Sequence, residues 1–161
     1  MIVVSNTSPI MNLALVGHGD LLVRLFGTVF VPDAVWQELA AIGADPRAAN
    51  LNPPLPGVAL RSLKDRALAN ALVREVDPGE AEAIALAVEM RADLMLLDDR
   101  LARRAALRLG LRVGGLLGLL VDAKGKGILP EVRPVLDELI AKAGFWVGSS
   151  LYARVLSEAG E

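Results

Sequence analysis

Four segments of the chain pass from a short apolar run to an oxygen-bearing side chain where a strand should hand over to a helix. They are IVVS followed by Asn6, TVFVPDAVWQ followed by Glu38, DPG followed by Glu80, Ala81 and Glu82, and LMLL followed by Asp98 and Asp99. Carboxylates and an amide at the carboxyl edge of a buried sheet form a donor set for a hard divalent cation such as Mg2+ or Mn2+. With substrate bound, one or two such ions activate water and stabilise a leaving oxygen in phosphodiester cleavage. The absence of cysteine excludes disulfides, thiolate nucleophiles and zinc-thiolate sites. A single histidine, His18, excludes multi-histidine zinc centres, so any metal here is oxygen-bound.

Each position also has a plain structural use. Asn6 suits the cap of a following turn, and its amide oxygen brings no charge to a metal. Glu38 stands at the edge of an apolar helical stripe made by Val35, Trp36 and Leu39, with Trp36 expected in the core. Asp77 and Glu80 have the spacing of a capping box, and Glu82 is the second candidate on the same helix. Asp98 and Asp99, being consecutive, point to different sides of the chain, and Asp98, which ends the apolar strand, is the expected member of a shared site. Together these segments place two to four acids at one edge, where like-charge repulsion is costly without a cation.

Basic residues follow directly. Arg100, Arg103, Arg104, Arg108 and Arg112 fall in a stretch that contains no acid, and Arg100, Arg104 and Arg108 recur at helical spacing. Such a stripe is either a solvated helix face or a phosphate-tracking surface beside the metal, with Arg100, Arg103 and Arg104 nearest the site. The formal charge of −2 decides nothing about nucleic acid.

The elements that must position these groups alternate between strand and helix. Strands are expected at 2–5, 28–31, 58–63, 94–97 and 112–113. Helices are expected at 9–16, 20–26, 32–41, 65–74, 77–91, 100–109, 116–124, 130–143 and 150–158, with 43–56 an irregular surface loop. This pattern predicts an α/β three-layer sandwich around a central, mostly parallel sheet, with ligands at the carboxyl ends of its strands. The 161 residues suit one domain, with a core over 1–124 and C-terminal helices over 125–161. Hydrophobic content of 53% and a mean hydropathy of +0.46 fit a sheet buried on both faces plus a subunit interface. No apolar run approaches the roughly 20 residues of a membrane helix, and a chain opening directly on a strand makes the cytoplasm the default location.

The segments VSNTSP at 4–9, VPDAVWQEL at 31–39, GEAEAIALA at 79–87 and LMLLDDRLAR at 94–103, in that order, resemble the PIN-domain family. The resemblance is to its prokaryotic branch of predicted nucleic-acid-binding proteins and covers about residues 1–124. It implies a Rossmann-like fold and a Mg2+- or Mn2+-dependent ribonuclease site for single-stranded RNA. Many relatives are toxins of toxin–antitoxin pairs and dimers are frequent, so an antitoxin protein and a second copy are expected partners. By position, the family's acids fall on Asn6, Glu38, Glu80 and Asp98, with Ser8 orienting the first. Asn6 lacks the family's charge, and Glu80 stands where Asp is commoner.

Two other readings follow from the residues. The uncharged Asn6 suits a catalytically weak nucleic-acid-binding or regulatory protein on the same scaffold. An enzyme acting on phosphorylated small molecules would need a glycine-rich phosphate loop, and Gly114-Gly115 and Gly125-Lys126-Gly127 are too short. No nucleophile elbow accompanies His18, which is expected in an exposed turn between helices.

Overall fold

A computed structural model describes residues 1–161. Its sheet has five strands, β1 (Val3–Ser5), β2 (Val29–Val31), β3 (Val58–Leu60), β4 (Leu94–Leu96) and β5 (Val113–Gly114), in the order β3-β2-β1-β4-β5. Every neighbouring pair is parallel. Parallel strands need covered crossovers, and helices supply them: α1 (Thr7–Leu15), α2 (Asp20–Phe26), α3 (Asp33–Gly43), α4 (Ala67–Leu72), α5 (Pro78–Met90) and α6 (Arg100–Arg108). Three further helices, α7 (Leu116–Gly125), α8 (Arg133–Lys142) and α9 (Ser149–Glu158), complete the chain. The expected three-layer α/β architecture is the observed one.

Burial explains the composition. Val3, Val4, Val29, Val31, Met95 and Leu97 of the central strands and their ends are 0% exposed, as β-branched and apolar residues covered on both faces should be. Helix α5 carries small apolar residues almost all round, and Ala81, Ala83, Ile84, Leu86 and Ala87 are likewise sealed. No helix is long and apolar enough to cross a membrane.

The order of strands reverses at β1. The chain moves from β1 to β2 on one side, whereas β4 docks on the other, so the crevice beyond the carboxyl ends of β1 and β4 is the topological switch point. Ser5 is in register with Leu96, and the Asn6 N–H donates to the Leu96 carbonyl at 3.1 Å across that crevice.

Three local expectations change. The first helix begins at Thr7, with Asn6 at its N-cap and Pro9 accommodated in the first turn, where its missing N–H costs nothing. Within 43–56 lies a 3-10 helix, Pro46–Leu51, held by the Asp45 side chain accepting from Arg47 N and by Asn50 Nδ2 donating to the Ala14 carbonyl at 2.7 Å. It anchors Leu51, 0% exposed, in the core, and it packs so closely on α3 that a Cβ on Gly43 would lie 2.4 Å from Asn52 N. His18 is half-buried rather than exposed, with its N–H donating to the Leu13 carbonyl.

Candidate metal and nucleic-acid site

The buried polar residues of the chain are Ser5, Asn6, Thr7, Asn12 and Glu80, and three of these are the consecutive residues leaving β1 at the switch point. Burying polar groups is costly unless they find partners, so their concentration there needs a cause. Asn6 is 6% exposed and its side chain makes no capping hydrogen bond to α1, so its simplest structural use is not taken up. The Thr7 hydroxyl donates to Glu38 Oε2, joining the end of β1 to α3. The other oxygen of Glu38 lies against the first turn of α5: a Cβ on Gly79 would stand 2.3 Å from Oε1.

Glu80, 8% exposed, completes that turn. Asp77 and Glu80 form a capping box, in which Glu80 N donates to Asp77 Oδ1 at 2.8 Å and Asp77 N donates to Glu80 Oε2 at 3.1 Å. The cap and the cluster therefore share one carboxylate. Removal from water pushes the Glu80 pKa up to about 7, and the charges of Asp77, Asp99 and Glu38 push the same way against the Asp77 N–H. Asp99 caps α6, its Oδ1 accepting from Ala102 N at 2.9 Å.

The structure therefore brings Asn6, Glu38, Glu80 and Asp99 to one edge, but it does not bring every expected residue there. Asp98 is engaged with the start of α7 instead. Its Oδ1 accepts from Leu116 N at 3.0 Å at the start of α7, and its Oδ2 is buried without a partner. Burial raises the Asp98 pKa, against the opposing pull of the Leu116 N–H and the Arg103 charge. Glu82 is occupied elsewhere, Oε1 accepting from Ala34 N at 3.1 Å and Oε2 pairing with Arg66 at 3.2 Å. Ser8 is half-buried, and it is its neighbour Thr7 that meets Glu38.

The arginines divide as well. Arg103 Nη1 donates to the Leu97 carbonyl at 2.8 Å and so braces the end of β4. Arg108 pairs with Glu75. Arg100 and Arg104 are exposed on α6, which starts from Asp99. Arg112 is exposed beyond that helix, just before β5.

The donor set fits a hard cation in chemistry: it is all oxygen, and Gly79 keeps clear the space into which Glu38 reaches. No group of three or more acids stands close enough to enclose an ion directly.

A family model described as a PIN domain matches residues 2–161, and the chain belongs to that family. No curated protein and no solved structure matches it. The family match runs beyond residue 124 through α7, α8 and α9, further than the motifs legible in the sequence. PIN domains are nucleic-acid nucleases that generally depend on divalent metal, so the class of chemistry is nuclease-type.

Proposed function

We propose that this chain is a Mg2+- or Mn2+-dependent endoribonuclease that cleaves single-stranded RNA, acting as the toxin of a toxin–antitoxin pair. The observation that carries the reading is the convergence of Glu38, held by Thr7 over the first turn of α5, and the buried Glu80 of that turn beside the buried Asn6 at the switch point. Asn6, Glu38, Glu80 and Asp99 would hold the ion, which when bound supplies Lewis-acid stabilisation and water activation.

The chain's own groups do the rest. Thr7 fixes the Glu38 carboxylate in one orientation. Glu80, raised to about 7 in the metal-free chain, would lose its proton as the ion binds, so metal affinity should rise with pH through neutrality. The Asn6 amide orients water without adding charge. Arg100 and Arg104 bind the phosphodiester backbone next to Asp99. The exposed Leu101 and Leu107 of α6, at 60% and 58%, offer apolar surface for a protein partner, whether an antitoxin or a second copy.

The test is cleavage of an end-labelled single-stranded RNA in Mn2+, against EDTA and against Glu38→Gln. Metal-dependent products absent from the variant support the reading. Equal products from both proteins would remove it. The second reading, a binding protein with weak catalysis, is favoured by Asn6 at a position the family fills with an acid and by the lack of a direct three-acid grip. Retarded RNA migration without metal-dependent products would establish it instead.

A further inference from the structure

Where Asp98 turns away from the acid cluster lies a second concavity that the nuclease reading leaves unused. It is a cleft of about 640 Å³ between β5, the start of α7 and α9, with Asp98, Arg103, Phe145, Trp146 and Arg154 among its walls. This volume lies within the usual range for small-ligand pockets. Asp98 is the immediate chain neighbour of Asp99, so one short stretch of backbone serves both the wall of the cleft and the cluster.

Its outer wall carries an unusual residue. Trp146 is 86% exposed, more than any other large apolar side chain of the protein, in the connection between α8 and α9. Its ring lies over Gly148, whose added Cβ would be in ordinary contact with Cη2 at 3.5 Å. An indole so exposed buries little apolar surface in the fold. Arg154 stands beside it, with only a weak pairing to Glu158 at 4.0 Å between two mostly exposed side chains.

We infer that this cleft is a nucleobase subsite, in which Trp146 stacks an unpaired base of the single strand and Arg154 meets the neighbouring phosphate. The inference rests on the nuclease reading, because it assumes that single-stranded nucleic acid reaches the adjacent cluster. Stacking on an exposed aromatic with a cationic neighbour is how sequence-tolerant single-strand binders gain affinity, since every base presents a π face. A folded duplex offers no free base to such a platform, so the subsite would favour single strands.

The experiment is fluorescence-anisotropy binding of a labelled oligouridylate dodecamer in EDTA, which separates binding from cleavage. Trp146→Ala should weaken binding by about tenfold, given the usual strength of base–aromatic stacking. Trp146→Tyr should recover most of the loss, and replacing the bases with abasic residues should abolish the difference between wild type and Trp146→Ala. Circular dichroism of the variants checks that the fold is kept. Binding unchanged in Trp146→Ala overturns the subsite while leaving the nuclease reading in place. Loss of a dimer in Trp146→Ala, with RNA binding intact, also overturns it and assigns the indole to a contact between copies. If the dodecamer neither binds nor is cleaved in Mn2+, the nuclease reading fails and takes the subsite with it.

Discussion

Glu38 lays one carboxylate oxygen over the backbone of Gly79, so closely that a single added carbon there would lie 2.3 Å from Oε1. The atom it would displace is the far end of a flexible side chain. Gly79→Ala should therefore leave the fold intact, with a melting temperature within a few degrees of wild type, while pushing Glu38 out of the cluster. We expect at least a tenfold fall in metal-dependent cleavage, because misplacing a metal-holding group by about an ångström costs catalysis heavily. Wild-type turnover in Gly79→Ala would show that Glu38 acts elsewhere.

Asp98 and Asp99 should separate cleanly. Asp99→Asn keeps the α6 cap, for which Asn and Asp are equivalent, and removes only charge. It should suppress cleavage by two orders of magnitude or more at nearly unchanged stability. Asp98→Asn keeps an acceptor for Leu116 N and relieves a buried carboxylate, so it should be neutral or stabilising and should retain activity. Denaturant unfolding and RNA cleavage, measured on both variants, would expose a reversed order.

Asn6→Asp should raise Mn2+ affinity, since it restores a carboxylate at the carboxyl end of β1. Titration calorimetry should register tighter binding, by about tenfold for one added charge close to the ion. Unchanged or weaker binding would place Asn6 outside the site.

Glu80 makes the metal-free protein sensitive to pH. Its folded pKa of about 7 exceeds the ordinary 4.5, so between these values the folded chain holds a proton that the unfolded chain has released. Stability from this group is full below 4.5, falls as pH rises, and levels off above about 7. Asp98, also raised by burial, acts in the same sense. The metal-free protein should be less stable at pH 8 than at pH 5 by about 1–2 kcal/mol, allowing for water reaching part of the carboxylate. Glu80→Gln should remove most of that slope in thermal melts across the range. A slope of opposite sign would contradict the burial of this carboxylate.

The parallel sheet and most of its helices were readable from residue types, because buried parallel strands appear as unbroken β-branched runs and helix starts announce themselves in Asp77, Pro78 and Glu80. The third and second acid-bearing segments were readable for the same reason. The choice between Asp98 and Asp99 was not. Asp98 accepts from Leu116 N and Asp99 caps α6, and the first of these contacts, made across 18 residues, has no local signature. The hydroxyl that meets Glu38 had no local signal either: Ser8 reads as a partner for Asn6, and the contact of Thr7 with Glu38 joins segments 31 residues apart. The cleft under Trp146 had no signature at all, since α8, α9 and their connection meet β5 only in three dimensions.

The acid that left the cluster has an influence of its own. Glu82 grips the backbone of Ala34 in the first turn of α3, and Glu38 stands one turn further along the same helix. Its grip, backed by the ion pair with Arg66, ties the start of α3 to α5, whose first turn Glu38 overlies. A side chain with no place in the cluster thus acts as a tie-rod between the two helices that carry its carboxylates.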